Sequence, residues 1–212
     1  MNRNPILIET VRMRDGAAPL WGHHVARVIR SCREVGVPPP RQLLAPVGGP
    51  DRVVRFAVSA GGVETTERPV GSLAPVRLAV STVRHEPYPR KTADRAVFDR
   101  ARAEAEAAGA DDGVLLVAGG WVAEAAMWGL YWWESESLCA PPLDFLILRS
   151  VARQRLGEIT PVTERRRTPA ELRARPLFVA NAARGVVEVA VLDGNVPPPD
   201  PRIGELARAF WP

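Results

Sequence analysis

The stretch His85-Glu86-Pro87-Tyr88-Pro89-Arg90-Lys91 divides the chain into two parts. Its two prolines lack the backbone N–H that helices and sheets use, so residues 85–90 are predicted to be a linker. The stretch ends on Lys91, the single lysine in a chain with 28 basic residues. A lysine amine can lose its proton and attack a carbonyl carbon, which an arginine guanidinium cannot do. A lone lysine between two units therefore suggests covalent chemistry; the alternative is a surface residue left by chance in an arginine-rich chain.

On the N-terminal side, residues 1–84 are predicted to form a small α+β unit with a meandering sheet. A helix over residues 21–35 follows from the spacing of its apolar residues, and Gly36 with the three prolines behind it ends that helix. Gly61-Gly62 marks a turn between two strands. The predicted strands of this unit cover residues 5–12, 52–59, 63–68 and 76–83.

On the C-terminal side, residues 85–212 are predicted to form a larger α+β unit. Gly119-Gly120 separates two apolar runs and predicts a hairpin. The predicted helices cover residues 93–108, 143–156, 169–173 and 203–210. The predicted strands cover residues 113–118, 121–126, 130–133, 159–163, 177–180 and 186–192.

Composition restricts the class of protein. The chain of 212 residues is 46% apolar, which is enough for one large domain or two small ones. It has no apolar run of membrane-spanning length, and residues 1–5 do not lead into a signal-peptide core, so we expect a cytoplasmic protein that is neither secreted nor inserted in a membrane. Cys32 and Cys139 lie near no histidine pair, which indicates two buried free thiols and no metal site.

The basic residues do not point to nucleic acid. The net charge is only +4 because 24 acidic residues are interspersed among the basic ones. The one dense run, Arg165-Arg166-Arg167, has no interleaved aromatic residues and is more typical of a solvated loop than of a phosphate-binding patch. We therefore expect no nucleic-acid partner.

Three polar positions are candidates for a site, each with an ordinary alternative. Glu124 lies in an apolar hairpin arm, where it either meets a partner or points to water from an edge strand. Arg27 shares a helix face with His24 and either binds a phosphate or belongs to a solvated face. The loop over residues 181–185 either presents backbone N–H groups to an anion or is an ordinary turn.

Five segments in order resemble the class IV aminotransferases, the fold-type IV enzymes that use pyridoxal 5′-phosphate. The fifth segment is closest to the aminodeoxychorismate lyases of that family. The segments are Glu9-Thr10-Val11-Arg12 with Asp15-Gly16 and His24-Val25-Ala26-Arg27; Lys91-Thr92 with Asp94-Arg95; Gly109-Ala110-Asp111-Asp112 with Val122-Ala123-Glu124; Leu148-Arg149-Ser150-Val151-Ala152-Arg153; and Asn181-Ala182-Ala183-Arg184-Gly185-Val186.

The resemblance implies an architecture. It is a two-domain α+β fold with a small N-terminal α/β sandwich (residues 1–84) and a larger C-terminal α+β pseudo-barrel (residues 85–212) that carries the lysine. It also implies a homodimer acting on a small-molecule amino substrate. Four tryptophans are either interface aromatics or core residues: Trp21, Trp128, Trp132 and Trp133.

The resemblance also implies roles for individual residues. Lys91 would hold the cofactor as a Schiff base and then move protons at the α-carbon of the substrate. Glu124 would pair with the pyridine nitrogen. Thr10 would lie beside the leaving group and relay a proton. The cofactor phosphate would meet Arg27 and the backbone N–H groups of Val151 and Ala152, and the substrate would meet Asn181, Ala183 and Arg184.

Several positions depart from the family pattern. Gly129 stands where an asparagine is usual and Ala152 where a threonine is usual. Ala60 replaces an arginine that binds the substrate carboxylate, and the sequence leaves open whether Arg12 or Arg184 takes over that contact. The chain also begins almost at its first motif. We therefore expect a lyase that releases pyruvate from 4-amino-4-deoxychorismate, with a transaminase of a small amino acid or a degenerate, non-catalytic family member as alternatives.

Overall fold

The computed structural model describes residues 5–212 and contains two β-sheets that both contribute to the wall of one cavity. Residues 1–4, which entered the argument against a signal peptide, lie outside the described part of the chain. Within that part, no helix combines the length and the apolar character needed to cross a bilayer.

The smaller sheet is antiparallel and has the strand order β1-β2-β3. Its strands are β1 (Leu7–Met13), β2 (Arg52–Ser59) and β3 (Gly62–Arg68), and helix α1 (Trp21–Glu34) packs on one face. Because side chains alternate along a strand, Leu7 of β1 and Val58 of β2 pack with α1 on that face. Thr10 and Arg55, which are direct neighbours across the sheet, share the opposite face with Ile8. The predicted strands over residues 5–12, 52–59 and 63–68 and the predicted helix are confirmed.

The larger sheet is mixed, has eight strands and curls into a half-barrel. In chain order its strands are β4 (Val76–Arg84), β5 (Asp112–Leu116), β6 (Val122–Ala125), β7 (Gly129–Glu134), β8 (Ser137–Ala140), β9 (Val162–Glu164), β10 (Leu177–Asn181) and β11 (Gly185–Leu192). Their spatial order is β6-β5-β4-β11-β10-β7-β8-β9. The remaining helices are α2 (Ala96–Ala107), α3 (Val151–Ile159), α4 (Pro169–Leu172) and α5 (Pro201–Ala209).

Strand β4 lies in the larger sheet, not in the smaller one. The sequence placed residues 76–83 in the first unit, but β4 pairs in parallel with β5 and β11 in the larger sheet. Its side chains Val76 and Leu78 are buried in the core of that sheet, which no local pattern reveals. The smaller sheet therefore ends with β3, at residue 68, and a domain boundary at residue 84 stays a prediction.

The predicted linker is irregular, as expected, but it is packed rather than free. Tyr88 is buried and its backbone N–H donates to the carbonyl oxygen of Leu146 at 2.8 Å. Its ring packs edge-on against Phe98 of α2 with centroids 4.6 Å apart. The stretch therefore serves as a wall of the cavity.

The predicted helix over residues 143–156 is wrong in its first half. A short 3₁₀ helix (Leu143–Phe145) ends at Leu146, whose φ of 55° is left-handed and incompatible with continuing a helix. The chain is irregular up to Ser150, and α3 starts only there because the Ser150 hydroxyl caps it by accepting from the Arg153 N–H at 3.0 Å. Strand β8 was not predicted.

The other predicted elements of the second unit are confirmed within a few residues at their ends. Gly113 in β5 lets helix α2 approach closely, because a Cβ there would lie 2.2 Å from the Ala101 carbonyl oxygen. Trp132 is fully buried and Trp128 nearly so within the chain, which favours the core alternative for both. Cys32 and Cys139 are buried free thiols, as predicted.

Candidate active site

A cavity of about 320 Å³ lies between the smaller sheet and the open side of the larger one. Strand β1 of the smaller sheet contributes Thr10, and the larger unit contributes β6, β7, the end of β10 and the start of α3. Nearly all predicted site residues line this cavity, although they are spread from residue 10 to residue 184 of the chain. The exception is Ala152, whose side chain is buried elsewhere.

Lys91 is held in the cavity by its backbone. Its carbonyl oxygen accepts from the Ile8 N–H at 2.8 Å, which ties the end of the linker to strand β1. The Tyr88 hydroxyl exchanges hydrogen bonds with the next residue, donating to the Thr92 carbonyl oxygen at 2.8 Å and accepting from the Thr92 N–H at 2.9 Å. Burial, reinforced by the positive charge of Arg27, lowers the pKa of Lys91 to about 7. Lys91 lines the cavity, which disfavours the alternative of a chance surface lysine, and an uncharged amine is accessible near neutral pH.

Glu124 is buried, so the alternative of an edge-strand glutamate facing water is wrong. All four residues of β6 are buried. The Oε1 atom of Glu124 lies 3.0 Å from Nε2 of His85 and accepts from the Leu148 N–H at 3.4 Å. Both contacts fall on the same oxygen, which leaves Oε2 for a group inside the cavity.

Arg27 and His24 lie on a buried helix face, not on a solvated one. The Arg27 guanidinium donates through Nε to Oε1 of Glu9 at 2.8 Å and through Nη2 to Oε2 at 2.5 Å, and His24 Nδ1 lies 2.5 Å from Oε2. Burial acts to raise the pKa of Glu9, but the Arg27 charge and the hydrogen bonds outweigh it and the pKa falls to about 2. Burial also lowers the pKa of His24. Glu9 engages Nε and Nη2 of Arg27 and leaves its Nη1 edge for the cavity.

The start of α3 offers unpaired backbone donors. Ser150 caps the helix through the Arg153 N–H, and the N–H groups of Val151 and Ala152 find no acceptor within residues 5–212. The first N–H groups of a helix carry a partial positive charge and favour anions. This end of the cavity is therefore suited to a phosphate.

The loop after β10 satisfies its own backbone N–H groups, as an ordinary turn does. The Asn181 side chain accepts from the N–H groups of Ala183 and Arg184 at 3.0 and 2.8 Å, and its Nδ2 donates to the Met127 carbonyl oxygen. Those backbone groups are thus not available to an anion. The loop instead presents the Arg184 side chain, whose guanidinium carbon lies 4.8 Å from the centroid of the Trp128 ring.

Four arginines in the cavity wall have no carboxylate partner within the described residues. They are Arg55 of β2, Arg68 of β3, Arg184, and Arg95, whose Nη2 donates to the Ala126 carbonyl oxygen. Burial and the nearby charge of Arg68 lower the pKa of Arg184. Arg12, by contrast, is bound to Asp51 at 2.6 Å and does not line the cavity. Of the two candidates for the carboxylate contact, only Arg184 lines the cavity.

Sequence reasoning missed several cavity residues. Tyr88 was assigned to a linker, and Arg55 and Arg68 to strands without a role. The linker also contains His85, which does not line the cavity but contacts Glu124. Alternation along β2 places Arg55 opposite the apolar face that packs on α1, but nothing local shows what this other face meets.

Comparison with known proteins identifies the family. Residues 51–192 match the model of the amino-transferase class IV family. No curated protein matches the chain by sequence.

Solved structures share the fold. A branched-chain aminotransferase from Thermoproteus uzoniensis, solved with norvaline, superposes with a TM-score of 0.86 at 22% identity, over 99% of this chain and 85% of that one. A protein from Legionella pneumophila, assigned as a 4-amino-4-deoxychorismate lyase, gives 0.81 at 19% identity, over 96% and 89%. The form of a hypothetical Mycobacterium tuberculosis aminotransferase with bound pyridoxal phosphate gives 0.81 at 20% identity, over 99% and 88%.

The family model covers well over half of the chain, and the predicted two-unit α+β architecture is confirmed. The chain therefore belongs to the class IV aminotransferases, a family of enzymes whose cofactor is pyridoxal 5′-phosphate.

Proposed function

We propose that this enzyme is a lyase that converts 4-amino-4-deoxychorismate into 4-aminobenzoate and pyruvate. The observation that carries the proposal is the charge of the cavity. Seven basic side chains and two acidic ones line it, and four of the arginines lack a carboxylate partner in the described chain. This excess of positive charge suits a substrate with two carboxylates, which 4-amino-4-deoxychorismate has, better than a branched-chain amino acid, which has one.

The residues present suit the family's cofactor. Lys91 offers an amine that is uncharged near neutral pH, and Glu124 keeps one carboxylate oxygen free for a protonated pyridine nitrogen. Arg27 and the unpaired N–H groups of α3 would hold the phosphate. When bound, pyridoxal 5′-phosphate supplies an aldehyde that joins to amines and a ring that withdraws electrons from the adjacent carbon.

We assign a role in the reaction to each of several side chains of the cavity. Arg184, Arg55 and Arg68 bind and orient the carboxylates. Lys91 takes the proton from the ring carbon that carries the amino group. The bond between the substrate ring and the enolpyruvyl oxygen breaks, and the leaving oxygen takes up the electron pair.

Thr10, which lines the cavity beside Arg55, would relay a proton toward the leaving group. The enolpyruvate becomes pyruvate on protonation, and the ring becomes aromatic. Because the two products together contain all the atoms of the substrate, the reaction needs no water, oxidant or reductant.

Transamination is the second candidate. The Thermoproteus uzoniensis and Mycobacterium tuberculosis structures, which share the fold, are both of aminotransferases. Lys91 would serve that reaction equally well, because both begin with removal of the same kind of proton. The third alternative, a non-catalytic protein, is disfavoured because Lys91 and Glu124 both line the cavity, where Glu124 is buried in contact with His85.

Two measurements test the proposal. The first is binding: pyridoxal 5′-phosphate is added, the adduct is reduced with borohydride, and mass spectrometry is expected to map it to Lys91. Lys91→Arg is the matched control, since it keeps the charge and removes the amine, and it should give no adduct.

The second is turnover. We expect equal amounts of pyruvate and 4-aminobenzoate from 4-amino-4-deoxychorismate, and slower exchange between L- or D-amino acids and 2-oxo acids. Amino-acid exchange without pyruvate release would replace the lyase with the transaminase. Absence of both, with no adduct on Lys91, would support the non-catalytic alternative.

The family resemblance supports a homodimer in the cytoplasm as part of the same proposal. Light scattering on the purified protein tests the mass, and a monomer at micromolar concentration would contradict it.

A further inference from the structure

Gly129 leaves space in the cavity wall that a neighbouring side chain occupies. A Cβ at residue 129 would lie 2.9 Å from the hydroxyl oxygen of Tyr131 and 3.1 Å from its ring. Residues 129 and 131 project from the same face of β7 because side chains alternate along a strand. A residue with a side chain could therefore replace Gly129 only if Tyr131 moved.

Tyr131 is held rigidly in this position. Its ring stacks on Phe178 of β10 at a centroid distance of 5.2 Å and an interplanar angle of 15°. Only 2% of the residue is exposed, yet it lines the cavity. Burial raises the pKa of Tyr131 to about 12, so the hydroxyl keeps its proton and can donate it.

The hydroxyl of Tyr131 is available to a ligand. Ser150 lines the same cavity, but its oxygen already accepts from the Arg153 N–H at 3.0 Å as the cap of α3. The hydrogen of the Tyr131 hydroxyl can therefore point into the cavity.

We propose that the Tyr131 hydroxyl donates a hydrogen bond to the ring oxygen of the bound cofactor and so replaces the polar side chain that Gly129 lacks. The phosphate already has Arg27 and the α3 N–H groups as donors, which leaves the ring oxygen for Tyr131. This inference rests on the proposed cofactor site and does not depend on whether the reaction is elimination or transamination.

Binding of pyridoxal 5′-phosphate and of pyridoxal, which has no phosphate, tests the inference. Tyr131→Phe keeps the stacked ring and removes the donor. We expect it to weaken both ligands about tenfold, the effect of one lost hydrogen bond. We also expect it to raise the pH midpoint of the visible absorption of the lysine-bound cofactor, because the ring oxygen becomes more negative.

Two further variants separate this role from a packing defect. Gly129→Ala should displace the hydroxyl and weaken binding to a similar extent, and combining it with Tyr131→Phe should add little further loss. Gly129→Asn with Tyr131→Phe returns a polar side chain to residue 129 and should recover at least half of the lost affinity. Thermal unfolding of the cofactor-free variants reports on folding independently of binding.

Each contrary result has a defined meaning. Parental affinity and an unchanged pH midpoint in Tyr131→Phe would overturn the inference while leaving the proposed function intact. Weaker binding of pyridoxal 5′-phosphate with unchanged binding of pyridoxal would also overturn it, because the contact would then be to the phosphate. If the parent protein itself formed no adduct on Lys91, the proposed function would fail together with the inference.

Discussion

Arginines at the two ends of the cavity differ in how their charge is balanced. Arg27, at the end next to α1, is neutralised by Glu9, and the pair is completed by His24. At the other end Arg55, Arg68 and Arg184 have no carboxylate partner within residues 5–212, and Arg184 instead lies over Trp128.

The difference separates a structural charge from a ligand-binding one. A buried charge is tolerated only with a partner, so the Glu9 and Arg27 pair must be complete before any ligand arrives. An arginine that lines a solvent-filled cavity keeps its hydration until a ligand replaces the water. Removing a member of the first group should therefore cost stability, and removing a member of the second should cost affinity.

The largest effect is expected for Glu9→Gln. The variant leaves the buried guanidinium of Arg27 without a counter-charge, and we expect a loss of about 3–5 kcal/mol in the free energy of unfolding. Urea denaturation of the cofactor-free protein measures it. A loss below about 1 kcal/mol would show that water or a rearranged carboxylate balances Arg27, and the distinction between the two ends would fail.

Acid should reproduce part of that loss in the parent protein. The pKa of Glu9 is about 2 in the folded chain, below its ordinary value of 4.5, so this carboxylate stabilises the fold above pH 4.5. That contribution, up to about 3 kcal/mol, disappears as the pH falls from 4.5 toward 2. The stability difference between the parent and Glu9→Gln should shrink over the same interval. A difference that stayed constant with pH would contradict the assigned pairing.

At the other end of the cavity, Arg184→Gln should raise KM for a dicarboxylate substrate about 10- to 100-fold, as expected when a charged hydrogen bond is lost. Its unfolding free energy should change by less than about 1 kcal/mol, because no carboxylate is left unpaired. Arg12→Gln is the matched control: it removes an arginine bound to Asp51 outside the cavity, and KM should not change. An equal rise in KM for both variants would point to a general charge effect.

The smallest effects are expected for Arg55→Gln and Arg68→Gln. Each shares the substrate contact with other cations, so KM should rise only about 3- to 10-fold. The rise should diminish at high salt, where screening weakens the contribution of the remaining charges. If either variant destabilised the fold as strongly as Glu9→Gln, the arginine would have an unrecognised structural partner.

Most helices and strands follow from local patterns. The strands around Gly61-Gly62 and Gly119-Gly120 and the helix that ends at Gly36 were predictable because periodicity and turn residues lie close together in sequence. The irregular structure of residues 143–150 was not predictable, because an apolar run that lines a cavity has the same composition as a buried helix. No feature of the sequence predicts the left-handed backbone conformation of Leu146.

The candidate site was partly predictable. Lys91, Glu124, Arg27 and Thr10 were found because they occupy positions of recognisable motifs, and the structure gathers all four around one cavity. Glu9 stood in the same motif, but its partners could not be read from it, since Arg27 lies 18 residues away on another element. His85 was hidden in a proline-containing linker.

The sequence by itself determined the family, the single lysine and most of the secondary-structure elements, because each is encoded within short segments. Only the tertiary structure decided that β4 belongs to the larger sheet, that Glu9 neutralises Arg27, and that Tyr131 fills the space beside Gly129. Those facts depend on contacts between segments that are distant in sequence. Such contacts decide how deeply a group is buried, and therefore its pKa, and how much space is left for its side chain. No local pattern encodes the neighbours that cause these changes.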